Sequence, residues 1–400
     1  MKKFAAIEGL RGWLAWAVVV CHLVQTSDLY ARGLGPVLVQ VGLLAVLVFV
    51  IISGFVITHL IVERPEPYGA YLIRRFMRIF PLFAVTCIIG FFTNDIHAAA
   101  LARVAWANAP STYHVEKLFA DLSHSNHEFL LAHALAHLTM LHGAISNAVL
   151  PFSQFAFNSP AWSLSLEWQF YLVAPLVLML ARRQITLVWV GLAVATIEIA
   201  YQLGALGDFQ TGSFLPGAAG FFGLGIASRL VYPSVTGMLR KPGPILAICL
   251  ILLPLCGWGS VPLLIWALVF TGLILDRSKL EAASFARTFA RCLESSKATY
   301  FGSRSYAVYL AHLPLIAVCH WAWLDIFPLA SRAATFFGLA GMVVPLTVVA
   351  AELLHRGVER PGIAMGARLA LWIKGSSLTP GIALSKPSAS TSLASVRASD

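Results

Sequence analysis

Residues 36–62 read PVLVQVGLLAVLVFVIISGFVITHLIV, 27 residues without an Asp, Glu, Lys or Arg. As a helix rising 1.5 Å per residue this run covers about 40 Å, more than the roughly 30 Å hydrocarbon core of a bilayer. It is continuous, where a barrel strand would alternate apolar and polar side chains, so it is read as a membrane-spanning helix. The whole chain has the same character: 400 residues, 58% hydrophobic, only 12% charged, mean hydropathy +0.79. Soluble domains carry nearer 25% charged residues, which excludes an ordinary soluble enzyme and a disordered chain. The expected fold is an all-α, polytopic integral membrane helical bundle.

Outward from that run, apolar segments at 7–26, 36–62, 79–94, 161–180, 186–203, 214–232, 244–258, 260–276, 304–325 and 334–355 predict about ten transmembrane helices. The first carries Lys2 and Lys3 ahead of it but also Arg11 and His22, so it reads as a span rather than a cleaved leader. The net charge of +10 comes from basic residues at the ends of apolar segments, which points to the positive-inside bias and not to nucleic acid. A cytoplasmic N-terminus puts 24 of the 28 Lys and Arg on the cytoplasmic side or edge, with the C-terminus cytoplasmic as well. Residues 129–150 are apolar enough to cross but are interrupted by His133, His137 and His142, and crossing would invert every later loop. They are read as an interfacial or re-entrant helix. Residues 1–365 form the membrane domain, and 366–400 a cytoplasmic tail, largely disordered. The six cysteines form no CxxC pair, and the histidines lack the facing geometry of a ligand set, so neither disulfides nor a metal is expected.

Polar groups at membrane depth are costly and mark function. Arg11 and His22 lie eleven residues apart, almost three turns, so both face one side of the first span about 16 Å apart. A snorkelling arginine with an interfacial histidine is the alternative. In the fourth span Ser163, Glu167 and Tyr171 share a face, and counting from the span's outer edge gives Glu167 a depth close to His22. A carboxylate orienting a histidine base is one reading; a buried polar tie between two helices is the other. Arg75 and Arg78 cluster at the cytoplasmic surface, as topology signals or as a site for a coenzyme's phosphates, which suit arginine's fork. Ser305, Tyr309 and His312 form a polar stripe, and Ser53-Gly54-Phe55 places small residues where backbones approach or a ligand passes.

Six pieces then resemble, in order, the membrane-bound acyltransferase 3 family of O-antigen, exopolysaccharide and Nod-factor O-acetyltransferases. They are Arg11 with His22 after Glu8-Gly9-Leu10; Ser53-Gly54-Phe55; Arg75 and Arg78 before Ile79-Phe80-Pro81; Trp162 through Glu167; Ser305 through His312; and Glu359-Arg360-Pro361. The resemblance implies an O-acyltransferase of a bacterial inner membrane. It would move an acyl group, most often acetyl, from cytoplasmic acyl-CoA to a hydroxyl of a glycan, a lipid-linked glycan or a similar acceptor. No permanently bound cofactor is implied, since acetyl-CoA serves as donor substrate; membrane lipids are the remaining partners. His22 and Glu167 become the expected catalytic pair and Arg11, Arg75 and Arg78 the coenzyme site. Ser53, Ser163, Tyr171, Tyr309 and His312 are expected to line the substrate channel. The rival reading is a transporter of a small anion or lipid-linked sugar, disfavoured by the missing internal repeat.

Overall fold

A computed structural model describes residues 4–29, 33–107, 115–180, 184–209, 211–238, 260–278 and 285–376. All regular structure among them is helical. The helices are α1 (Ala5–Thr26), α2 (Gly35–Glu63), α3 (Tyr68–Ala102), α4 (Val115–Glu128), α5 (Leu130–Leu138), α6 (Trp162–Leu180) and α7 (Gln184–Gln202). They continue with α8 (Ala219–Met238), α9 (Val261–Ser278), α10 (Phe285–Leu293), α11 (Ser296–Ile326), α12 (Arg332–Leu354) and α13 (Arg360–Ser376).

Among the described residues, six helical stretches are long and apolar enough to cross a membrane: α1, α2, α3, Ser159–Leu180, α11 and Arg332–Lys374. The protein is a multi-pass membrane bundle. Of the other expected spans, 186–203, 214–232 and 260–276 coincide with α7, α8 and α9, and 244–258 lies outside the described residues. Two expected boundaries move. The 79–94 segment is the middle of the 35-residue α3. The end placed at 355 is instead a π-turn, His355–Glu359, that carries α12 into α13, so residues 366–376 are helix; 377–400 lie outside the described residues.

The centre of the bundle is the parallel pair α1 and α11. Backbone meets backbone where they cross: a Cβ on Gly302 would stand 1.9 Å from the Glu8 carbonyl oxygen, and beside this crossing one on Gly9 would stand 1.8 Å from the Leu293 carbonyl oxygen at the end of α10. Small residues allow this approach, which is how helices associate where lipid removes the hydrophobic drive. Farther along, Trp16 meets Phe301 with ring centroids 6.2 Å apart, and His22 meets His312 at 5.1 Å. α2 runs back along α1, with Phe4 against Phe55 at one end and Gly42 against Cys21 at the other. α3 runs with α11: Tyr306 donates to the Ile79 carbonyl at 2.5 Å, and His97 approaches His320. α12 returns along α11, tied by Arg304 to Glu352 at 2.7 Å. α2 and α8 meet through Gly54 and Gly225, so Gly54 serves the close approach its sequence suggests.

The expected 129–150 helix is shorter than drawn. α5 has nine residues, and the chain turns at Met140 (φ 57°) before a 3-10 turn at His142–Ala144. Nine residues reach only about 14 Å, too short to cross.

Candidate active site

Two cavities open into the bundle and share Val46 and Tyr309 as walls. The inner one, about 460 Å³, lies among the start of α1, the end of α2, the start of α3 and α6. The other, about 610 Å³, lies at the far end of α1 and the beginning of α2.

Four arginines, Arg11, Arg64, Arg75 and Arg78, line the inner cavity against two carboxylates, Glu8 and Glu167. Several other arginines of the bundle are paired with carboxylates. Arg74 meets Glu66 at 3.1 Å, Arg103 meets Asp325 at 2.6 Å, Arg229 meets Glu63 at 2.6 Å and Arg332 meets Asp28 at 2.7 Å. Arg11, Arg75 and Arg78 differ: none has a hydrogen bond or ion pair to a described protein group, although all three are partly buried. Nearby carboxylates, Glu167 for Arg11 and Glu359 for Arg78, act on them only at longer range. Fork donors held in a low-dielectric cavity without acceptors suit an incoming anion.

Glu167 belongs to this cavity. Its Oε1 accepts from Ser53 at 3.0 Å and, in a shorter bond, from Tyr171. The expected partnership with His22 does not form, because His22 lines the other cavity with Gln25 beside it. The cause is where α6 starts. Pro314 in α11 has no N–H for the carbonyl four residues back, and the Asn158 side-chain amide takes that Leu310 oxygen at 3.1 Å. The entry to α6 is thus pinned to the middle of α11. Tyr309 donates to the Pro160 carbonyl and Ser163 Oγ donates to the Tyr309 hydroxyl, both at 2.9 Å. Glu167, one turn beyond Ser163, therefore lines the same cavity as the arginines.

Of the expected channel residues, Ser53, Ser163, Tyr171 and Tyr309 line the inner cavity, and Tyr309 also walls the other. His312 is fully buried against His22, and neither of its ring nitrogens has a partner. Sequence reasoning missed Gln25, although it sits one turn after His22. It also missed the buried histidines His97 and His320, whose only signal was their place inside apolar runs.

The histidines of 129–150 build a separate cap. His137 and His142 stack with centroids 4.0 Å apart, and Phe83 stacks on both. His133 faces Ser125 Oγ across 3.1 Å. Burial pushes His133 and His137 down to about 4 and His142 well below its ordinary value; the carbonyls of His133 and Ala156 at the His137 ring only partly oppose this. The unfolded segment therefore binds more protons than the folded one between pH 4 and about 6.5, so stability is full above that window and falls as pH drops through it. Amide exchange across 129–158, corrected for intrinsic rates, is expected to be faster at pH 5 than at pH 7.5. Equal protection at both values would refute this account of the cap.

The bundle thus sets an arginine-lined cavity beside a cavity that holds His22. Residues 4–352 match the family model described as an acyltransferase domain, and the chain belongs to this acyltransferase 3 family. It is similar to acyltransferase MdmB of Streptomyces mycarofaciens, 26% identical over 90% of this chain and 91% of the relative. It is also similar to the peptidoglycan O-acetyltransferase OatA of Listeria monocytogenes, 24% identical over 90% of this chain but 56% of that longer relative. No solved structure matches the chain.

Proposed function

We propose that this membrane acyltransferase moves an acetyl or similar acyl group from cytoplasmic acyl-CoA to a hydroxyl of a glycan or other hydroxylated acceptor. The observation that carries this is the set of three unpaired arginines in a cavity that shares the wall residue Tyr309 with the cavity of His22. Arg11, Arg75 and Arg78 hold the coenzyme's phosphates, and the acyl-pantetheine arm follows α1 toward Tyr309. His22 takes the proton as the acceptor oxygen attacks the thioester carbon. A C–O bond forms, the C–S bond breaks, and the proton passes from His22 to the departing thiolate, so the reaction balances without a co-reactant. Gln25, rather than Glu167, stands where it can orient the imidazole. Glu167, held by Ser53 and Tyr171, faces the arginines across the cavity and offsets their charge at longer range. In this reading the arginine end is cytoplasmic, in the inner membrane of a bacterium.

Arg75→Lys and Arg78→Lys test the donor site. Lysine keeps the charge but loses the two-pronged fork. Each variant is expected to raise the KM for acetyl-CoA about tenfold, the cost of one charge-assisted hydrogen bond. The measurement is release of coenzyme thiol by purified protein. Unchanged KM in both variants would return these arginines to the role of topology signals.

A further inference from the structure

The inner cavity is charged and the outer one is not. Among the described residues, no Lys, Arg, Asp or Glu lines the 610 Å³ cavity that holds His22. Its walls are mostly aliphatic and aromatic, with Val18, Val37, Leu118 and Leu313 around the space. The polar groups are uncharged: Gln25, Thr26, Gln40, Ser159, Thr211 and Tyr309 join His22. An anionic sugar or a phosphate brought here would lose its hydration without a counter-charge, a cost of several kcal/mol by general estimates. A fully polar oligosaccharide would leave most of its hydroxyls facing hydrocarbon. An apolar body, by contrast, gains about fourfold in affinity for each methylene it buries.

We infer that the outer cavity binds the acceptor and selects a neutral alcohol carried on an apolar body, such as a glycoside with an apolar aglycone, whose free hydroxyl meets His22. This deepens the proposed function and rests on it. The apolar part packs against Val37, Leu118 and Leu313, while Gln40 and the unpartnered Thr211 hydroxyl are the neutral hydrogen-bonding groups that face the hydroxylated end. Charge separates the two substrates. The polyanionic coenzyme is held among arginines, the neutral acceptor is held where arginines are absent, and neither competes for the other's cavity.

The test uses binding, which does not depend on turnover. His22→Ala protein in lipid nanodiscs is titrated with tritiated n-octyl β-D-glucopyranoside below its micellar concentration. Methyl β-D-glucopyranoside and octyl β-D-glucuronoside serve as competitors, the first lacking the apolar body and the second adding a carboxylate. Saturable binding of the octyl glucoside at least a hundredfold tighter than either competitor is expected. Leu118→Trp, which fills the cavity, is expected to abolish that binding while acetyl-CoA still binds, showing that the variant is folded. Equal competition by the methyl glucoside or the glucuronoside overturns the inference, as does octyl glucoside binding unaffected by Leu118→Trp. Failure of the underlying reading looks different: glycoside binding would persist, but wild-type protein would release no coenzyme thiol with any acceptor.

Discussion

Replacing His22 with alanine is expected to leave the protein inserted and able to bind acetyl-CoA, and to slow acyl transfer at least a hundredfold. General-base catalysis by a positioned histidine typically contributes about 10²–10⁴-fold, and no other described side chain in the outer cavity is a comparable base. The location of Glu167 sharpens the test. Had Glu167 oriented His22, removing both would be little worse than removing one, since a catalytic unit lost in part is already lost. Placed instead among the arginines, Glu167→Gln is expected to act mainly on the KM for acetyl-CoA. Its effect should multiply that of His22→Ala, as independent sites do. Coenzyme turnover unchanged by His22→Ala would remove His22 from the chemistry, and strong non-additivity would restore the pairing with Glu167.

The second large effect is expected at Gly302. A Cβ there would lie 1.9 Å from the Glu8 carbonyl oxygen, and no side-chain rotation relieves a clash with backbone. α1 and α11 would have to separate. Overpacking of this kind costs about 1–3 kcal/mol when side chains yield, and more when only backbone is available. Gly302→Ala should therefore lower the melting temperature markedly and Gly302→Val should yield little monodisperse protein. Gly341, with open space at its Cβ position, provides the control, and Gly341→Ala should behave as wild type. A Gly302→Ala protein melting within a degree or two of wild type would contradict the close crossing. The consequences would reach the site, because this crossing sets Arg11 and His22 on one helix against Tyr309 and His312 on the other.

Much of this was legible in the sequence, and the exceptions have physical causes. The run at 36–62 fixes its own helix because it is 27 residues long without an Asp, Glu, Lys or Arg, and the Arg11 and His22 spacing survives because α1 is unbroken. The continuation of α12 into α13 is hidden because Arg356, Gly357 and Pro361 read as an ending, whereas the π-turn carries the helix through them. The depth of Glu167 was misjudged because counting from the edge of an apolar run assumes that the helix begins at the membrane surface. α6 begins inside, held by Asn158 on a carbonyl that Pro314 leaves free, a tie of 152 residues' separation that no local pattern reveals. The contrast between paired and unpaired arginines was equally invisible, since most of the paired ones meet carboxylates far away in sequence, as Arg103 meets Asp325 and Arg332 meets Asp28.

The shared wall at Tyr309 has a consequence for the cell's energy economy. A protein that joins solutes from opposite faces of a membrane risks becoming a leak for protons and sodium. Here the Tyr309 hydroxyl is fastened to Pro160 and Ser163 on the neighbouring helix, and two separate vestibules end on either side of it. Under the proposed function only a small acyl group has to pass that partition, with the coenzyme and the acceptor each kept to its own vestibule. Under that proposal, an enzyme arranged this way would export a chemical group while the ion gradient that powers its host stays intact.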